Sequence, residues 1–215
     1  MGPTRFRDRA DAGRRLVDAL GHLRGAEHLV VLGLPRGGVP VAAEVAAGLG
    51  APLDLLVVRK LGFPGHEELA IGAVASGGAL VLNDEVLAMA DLDHAALEDR
   101  AARGRQDVDD LERRLRGDRP PLALDGTTAV LVDDGLATGA TMRVAAVAAR
   151  RAGATRVVIA VPVGSPEAVR ALDGLADEVV CLLVPANLRA VGLYYRDFSP
   201  VEEAEVRRLL GWADE

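Results

Sequence analysis

The chain has 215 residues, half of them apolar but only 3% aromatic, and a formal net charge of −7. That length supports one domain with a substantial core, built mainly from Ala, Val and Leu, while the acidic balance excludes broad binding to nucleic acid or anionic membrane. A single cysteine, Cys181, excludes an intrachain disulfide and fits a reducing cytoplasm, and no apolar run approaches the roughly 20 residues of a membrane span.

Short apolar runs alternate with amphipathic segments, the pattern of βα units and a mostly parallel sheet flanked by helices. Asp11–Leu23 predicts an amphipathic helix, and no basic-then-apolar leader precedes it, so secretion is not expected. His28–Leu34 predicts a strand, followed by the turn Pro35-Arg36-Gly37-Gly38 and a helix over Val39–Leu49. Leu53–Val58 is the next strand, ending at Arg59-Lys60. Leu61–Glu68 carries two glycines and a proline and predicts a mobile loop. Leu69–Ala75 and Ala79–Leu82 read as an antiparallel pair extending the sheet, turned by Ser76-Gly77-Gly78. Asp93–Arg116 is highly charged with sparse apolar residues, a solvated helix with one docking stripe and a break at Gly104. After Pro120-Pro121, Thr128–Val132 predicts a buried strand and Met142 onward a helix. Further strands fall near Arg156–Val161 and Glu178–Val184, separated by a helix with Ser165 at N-cap and Pro166 at N1. Cys181 sits in an apolar run, where a small buried hydrophobe is the expected role. Val201–Leu210 closes the chain as an amphipathic helix. The expected organisation is one domain over 1–215 with its core at about 28–184.

The stretch Leu131-Val-Asp-Asp-Gly-Leu-Ala-Thr-Gly-Ala-Thr141 is the most informative. Asp133 and Asp134 stand at the carboxyl end of a buried strand, where open α/β sheets bind ligands. Gly135, Ala137, Thr138, Gly139, Ala140 and Thr141 then offer free backbone N–H groups, two hydroxyls and a helix N-terminus, an anion site suited to phosphate. Two carboxylates beside it would repel a polyphosphate and suit sugar hydroxyls instead. A Walker loop is excluded because no lysine follows the last glycine. Pro35, Arg36, Gly37 and Gly38 form a second candidate anion turn, in which the glycines permit close backbone approach and Arg36 adds charge; a plain strand-to-helix turn would look the same. Of 25 Lys plus Arg, Lys60 is the only lysine, which marks a place for a compact ammonium in place of a guanidinium fork. His66-Glu67-Glu68 lacks metal-cluster spacing, and His66 reads as a solvated loop residue. Tyr194, Tyr195 and Phe198 hold half of the chain's aromatics; they suit either stacking on a flat ligand or packing against the sheet edge.

The Asp133–Thr141 string resembles the ribose-phosphate motif of the type I phosphoribosyltransferases. The loops starting at Pro35, Arg59 and Asp133 follow that family's order over about His28–Val184. The strings Val58-Arg-Lys-Leu-Gly62, Ala70-Ile-Gly-Ala-Val74 and Tyr195-Arg-Asp-Phe198 are similar to a bacterial subgroup with no assigned acceptor. The resemblance implies an α/β fold with a mostly parallel central sheet, a small hood from the N- and C-terminal segments and a charged helical excursion. It implies phosphoribosyl pyrophosphate as donor, Mg²⁺ as cofactor, a small nitrogenous acceptor, a cytoplasmic enzyme and a homodimer. By carry-over, Asp133 and Asp134 hold ribose hydroxyls and the metal, directly or through water, and with Lys60 form the catalytic set. Gly135 and Ala137–Thr141 hold the 5′-phosphate. Pro35–Gly38, Arg59 and Lys60 hold pyrophosphate, with a cis Pro35–Arg36 peptide and a closing loop over Leu61–Leu69 that excludes water. Tyr194 and Tyr195 are the acceptor-side candidates. No covalent enzyme nucleophile is required. Two other readings stay open: a nucleotide- or donor-binding regulatory protein of the same fold, against which the basic residues at the pyrophosphate side count, and a ribosyl-phosphate hydrolase, for which no further general base stands out.

Overall fold

The computed structural model describes residues 5–63, 66–83, 86–87, 94–121 and 123–212, with the side chains of 66–70 outside that description. Five parallel strands form the central sheet: β1 (Leu29–Gly33), β2 (Leu53–Leu55), β6 (Thr128–Val132), β7 (Arg156–Val163) and β8 (Glu178–Leu183), in the order β2-β1-β6-β7-β8. The runs of β1, β6 and β7 are mainly apolar because both faces are covered. In β6, Ala129 and Leu131 join the cluster on one face, while Val130 and Val132 join the cluster on the other. Helix α4 (Ala140–Arg151) covers the first face through Met142, Ala145 and Ala149. Helices α1 (Arg9–Ala19) and α2 (Gly38–Leu49) cover the second through Leu16, Leu20, Val41 and Val45. Small side chains let these layers approach closely, which is how a core with few aromatics fills its volume. Helix α5 (Pro166–Arg170) starts as expected, with the Ser165 hydroxyl accepting from Ala168 N at 3.0 Å.

The chain departs from the sequence expectation between residues 53 and 116. The predicted strand Leu53–Val58 divides: after β2 the backbone leaves the parallel sheet, and Ser76 fixes the exit through Val57 N to Ser76 Oγ (2.9 Å) and Ser76 N to Val57 O (2.9 Å). The supposed loop 61–68 is largely strand. β3 (Val58–Phe63) and β4 (His66–Ala75) pair antiparallel, and β5 (Leu80–Leu82) completes a separate three-stranded sheet in place of an extension of the first. Pro64, Gly65 and the His66 side chain lie outside the described residues.

Burial explains the hairpin. Leu61, Ile71 and Val74 pack on Ala101, Val108 and Leu115 of α3 (His94–Arg116). Nor does α3 break at Gly104: a Cβ there would come within 2.6 Å of Leu61 Cδ2, so the glycine permits close packing of helix on hairpin. At the far end of α3, Arg116 forks onto Asp54 of β2 at 2.7 and 2.9 Å, both side chains at most 6% exposed. Trp212 lies 4.9 Å from the guanidinium. This pair fastens the second sheet and its helix to the edge of the first.

Arg116→Met would strand the Asp54 carboxylate in the core and is expected to lower stability by about 3–5 kcal/mol in urea unfolding. The double replacement Asp54→Leu/Arg116→Met is expected to recover a large part of that loss, and a milder single variant would mean the pair contributes nothing to the junction.

Candidate functional site

Asp133 and Asp134 leave β6 at the carboxyl edge of the sheet. Asp133 Oδ1 accepts from Asp134 N at 2.8 Å, and Asp134 Oδ2 accepts from Arg9 Nε at 2.9 Å. Each carboxylate therefore has one oxygen held by protein, and no described protein donor reaches Asp133 Oδ2 or Asp134 Oδ1. Burial pushes the Asp133 carboxyl well above the usual carboxylate range, and the neighbouring Asp134 charge pushes it further. Burial also raises Asp134, against the opposing pull of the Arg9 guanidinium.

The two glycine-bearing loops meet at this acid pair. A Cβ on Gly38 would stand 2.6 Å from Val132 O and 2.9 Å from Asp133 Cα, and one on Gly37 would overlap the Asp134 carboxylate. The Pro35–Arg36 peptide is cis. The Arg36 side chain extends to the surface, its Nη1 3.9 Å from Glu202 Oε2.

Beyond the acids, Leu136 is stitched to the end of β7 by Leu136 N to Val163 O (2.8 Å) and Ser165 N to Leu136 O (3.0 Å). Gly139, with φ 74°, is the N-cap of α4, a left-handed conformation that favours glycine. Asp133, Gly135 and Ala137–Thr141 line a cavity of about 160 Å³, several times the roughly 30 Å³ share of one water. Thr141 also borders a second, polar cavity of about 450 Å³ with Arg59, Lys60 and Asp107. Arg59 pairs with Asp107 at 3.3 Å in the open, whereas no described carboxylate pairs with Lys60. The basic residues thus come to the Ala137–Thr141 turn from β3 of the second sheet and not, as expected, from the end of a central strand.

The hood is built from both termini. Phe6 bridges to Tyr195, with Phe6 N donating to Tyr194 O at 2.8 Å. The Tyr195 ring lies 5.5 Å from Phe6 and 5.0 Å from Phe198, centroid to centroid. Tyr195 is 3% exposed and donates its hydroxyl to Asp134 O at 2.7 Å; burial raises its phenol, as does the Asp134 charge. That corrects the acceptor-stacking expectation for Tyr195: an aromatic with a polar tip is enclosed where the tip finds a carbonyl. Tyr194 is half-buried in the same cluster. Arg9 is the residue that sequence reasoning missed. The chain has many arginines, and only Asp8, which caps α1 by accepting from Asp11 N at 2.7 Å, hints at where the helix begins. Cys181 is half-buried with its thiol pushed up to about 11 by burial, an inert packing group. Among the described residues no group of three or more His, Cys, Asp or Glu forms a metal cluster, and no helix is long and apolar enough to cross a membrane.

The family model of the phosphoribosyl transferase domain matches residues 9–197. Two relatives from Mycobacterium tuberculosis strains, provisionally named phosphoribosyl transferases, are 52% identical over 204 residues, covering 94% of this chain and 45% of each relative. The chain therefore spans about half the length of the curated relatives it matches. The crystal structure of TT1426 from Thermus thermophilus is 51% identical with a TM-score of 0.85, covering 98% of this chain and all of that one.

The raised carboxyl of Asp133 carries a stability consequence. Its folded value lies above the unfolded 3.8, so the wild-type protein loses stability as pH rises through the folded value and loses none below the unfolded one. Asp133→Asn is expected to raise the thermal midpoint by a few degrees near pH 8, with the gain vanishing near pH 3. A constant gain across that range would show that charge is not its cause.

Proposed function

We propose that this chain, which belongs to the phosphoribosyl transferase domain family, transfers the 5-phosphoribosyl group from phosphoribosyl pyrophosphate to a small nitrogenous acceptor. The observation that carries the reading is the convergence of three chemistries at one sheet edge: paired carboxylates, a glycine-capped helix N-terminus, and a basic strand that shares Thr141 with it.

The 5′-phosphate suits the cradle of Ala137–Thr141, where backbone N–H groups and the α4 dipole favour an anion. The ribose hydroxyls suit Asp133 Oδ2 and Asp134 Oδ1. Pyrophosphate leaves with the electron pair of its bond to the anomeric carbon. The acceptor nitrogen forms the new bond with inversion and then releases its proton to solvent. The acid pair stabilises positive charge developing on the ring, and Lys60 stabilises the departing anion. The pair also supplies two hard carboxylates, in line with the one or two that Mg²⁺ usually takes from protein beside substrate oxygens and water; when bound, the ion neutralises charge on the pyrophosphate. An ammonium with no described carboxylate partner favours transfer over a sensor of monophosphates, which has no use for a second anion site.

Isothermal titration is expected to show Mg²⁺-dependent binding of phosphoribosyl pyrophosphate, weakened at least tenfold, about 1.4 kcal/mol, by Asp133→Asn with Asp134→Asn; unchanged binding would remove the ribose assignment. Pyrophosphate release across a panel of nitrogenous bases separates a transferase from a binding protein. In that assay Lys60→Arg is expected to cost roughly tenfold in rate, because a planar fork does not replace a compact ammonium. Full activity in Lys60→Arg would leave the lone lysine without a role.

A further inference from the structure

The hood touches the ribose carboxylates through one side chain whose contacts exceed what packing requires. Arg9 opens α1 and is buried against the site, its side chain 12% exposed and that of Asp134 16%. Its Nε donates to Asp134 Oδ2 at 2.9 Å, its Nη1 donates to Ser199 O at 2.8 Å, and its guanidinium lies 3.9 Å from the centroid of Phe198. Three partners, one at the end of β6 and two in the 198–199 segment, fix the plane of the guanidinium, and with it the rotamer of the carboxylate. Tyr195 adds a second tie by donating to Asp134 O at 2.7 Å, so both the main chain and the side chain of Asp134 are set by hood residues.

We propose that Arg9 is a positioning residue of the ribose site: it holds Asp134 by one oxygen, so that the other is presented to a ribose hydroxyl in a fixed orientation. This rests on the ribose reading given above. The arrangement is reciprocal with that of Asp133, whose Oδ1 is held by the Asp134 amide at 2.8 Å. Two anchored oxygens leave two presented oxygens, matching the two hydroxyls of a ribose diol. Holding both carboxylates before the ligand arrives removes the entropy cost of ordering them on binding. The demand is specific to arginine. A lysine ammonium would supply a point charge but could not hold Asp134 and Ser199 O in one plane under the Phe198 ring.

The test is a double-mutant cycle on ligand affinity, with ribose 5-phosphate and inorganic phosphate as probes in isothermal titration. Arg9→Met is expected to weaken ribose 5-phosphate about tenfold and to leave inorganic phosphate unchanged, since the phosphate cradle lies on α4. Asp134→Asn alone is expected to cost at least as much, and the double variant no more than Asp134→Asn, because Arg9 acts through Asp134. Unchanged or tighter ribose 5-phosphate binding in Arg9→Met would overturn the proposal. So would equal loss of both ligands, which marks a purely structural role, or penalties that multiply in the double variant. If Arg9→Met does not fold, Arg9→Lys is expected to lose at least threefold for ribose 5-phosphate alone, and wild-type affinity there overturns the proposal as well. Failure of the wild-type protein to bind ribose 5-phosphate would sink both this proposal and the functional reading beneath it, whereas wild-type binding that is indifferent to Arg9 sinks the positioning role only.

Discussion

Asp133 and Asp134 are consecutive in the chain, so the backbone fixes their spacing, and each lies within the other's field at the end of a strand buried on both faces. Water cannot screen them as it would on an open surface, and the carboxyl of Asp133 is pushed upward accordingly. Every neighbouring feature answers that arrangement. Arg9 supplies a cation to one acid, an amide satisfies the other, and two glycines bring a second loop against them where any Cβ would collide. A sequence selected only for stability would not place two acids here, because each costs desolvation that Arg9 offsets only in part, chiefly for Asp134, which it contacts. A cost of that kind, carried at a sheet edge, is what makes the pair a candidate functional site.

The rest of the architecture brings three independent elements to that point. β6 delivers the acids, the turn into α4 delivers the cavity lined by Ala137–Thr141, and the second sheet delivers Lys60 from the side. Among the described residues no strand of the second sheet pairs with the first, so beyond the Val57–Ser76 bonds its position depends on side-chain contacts. Leu61 against Gly104 seats α3 on the second sheet, and Arg116 against Asp54 fastens that unit to the edge of the first. They have different physical characters. The first is a close apolar contact made possible by an absent side chain. The second is a desolvated ion pair, whose directionality specifies one seating of α3 even where its net contribution to stability is small.

What was legible in the sequence follows from how local each signal is. β1, β6 and β7 read as apolar runs because both sheet faces are covered there, and the Ser165 cap read correctly because a cap is a contact over three residues. The Asp133–Thr141 string was legible for the same reason: its geometry is written in one turn. Leu61–Glu68 misled because glycine and proline there suggest a loop, while the burial of Leu61 that makes it strand depends on α3 some forty residues away. Gly104 misled likewise, since a helix glycine reads as a break until its neighbour is known. Arg9 carried no local signal. Its importance exists only once α1, the 197–199 segment and the acid pair are folded together.

The division of labour between arginine and lysine in this chain acquires a physical sense from those positions. Arg9 and Arg116 are both enclosed, and each uses the planar fork to join groups from different elements: a carboxylate, a carbonyl and an aromatic face in both cases. Such sites need several donors in fixed directions and a cation that sheds water easily. Lys60 occupies the opposite situation, exposed on β3 beside an open polar cavity. An open polar cavity suits a mobile, strongly hydrated charge, whereas a rigid fork suits enclosed partners in fixed directions. The fold therefore encloses Arg9 and Arg116 where geometry has to be held, and leaves its single lysine exposed beside an open polar cavity.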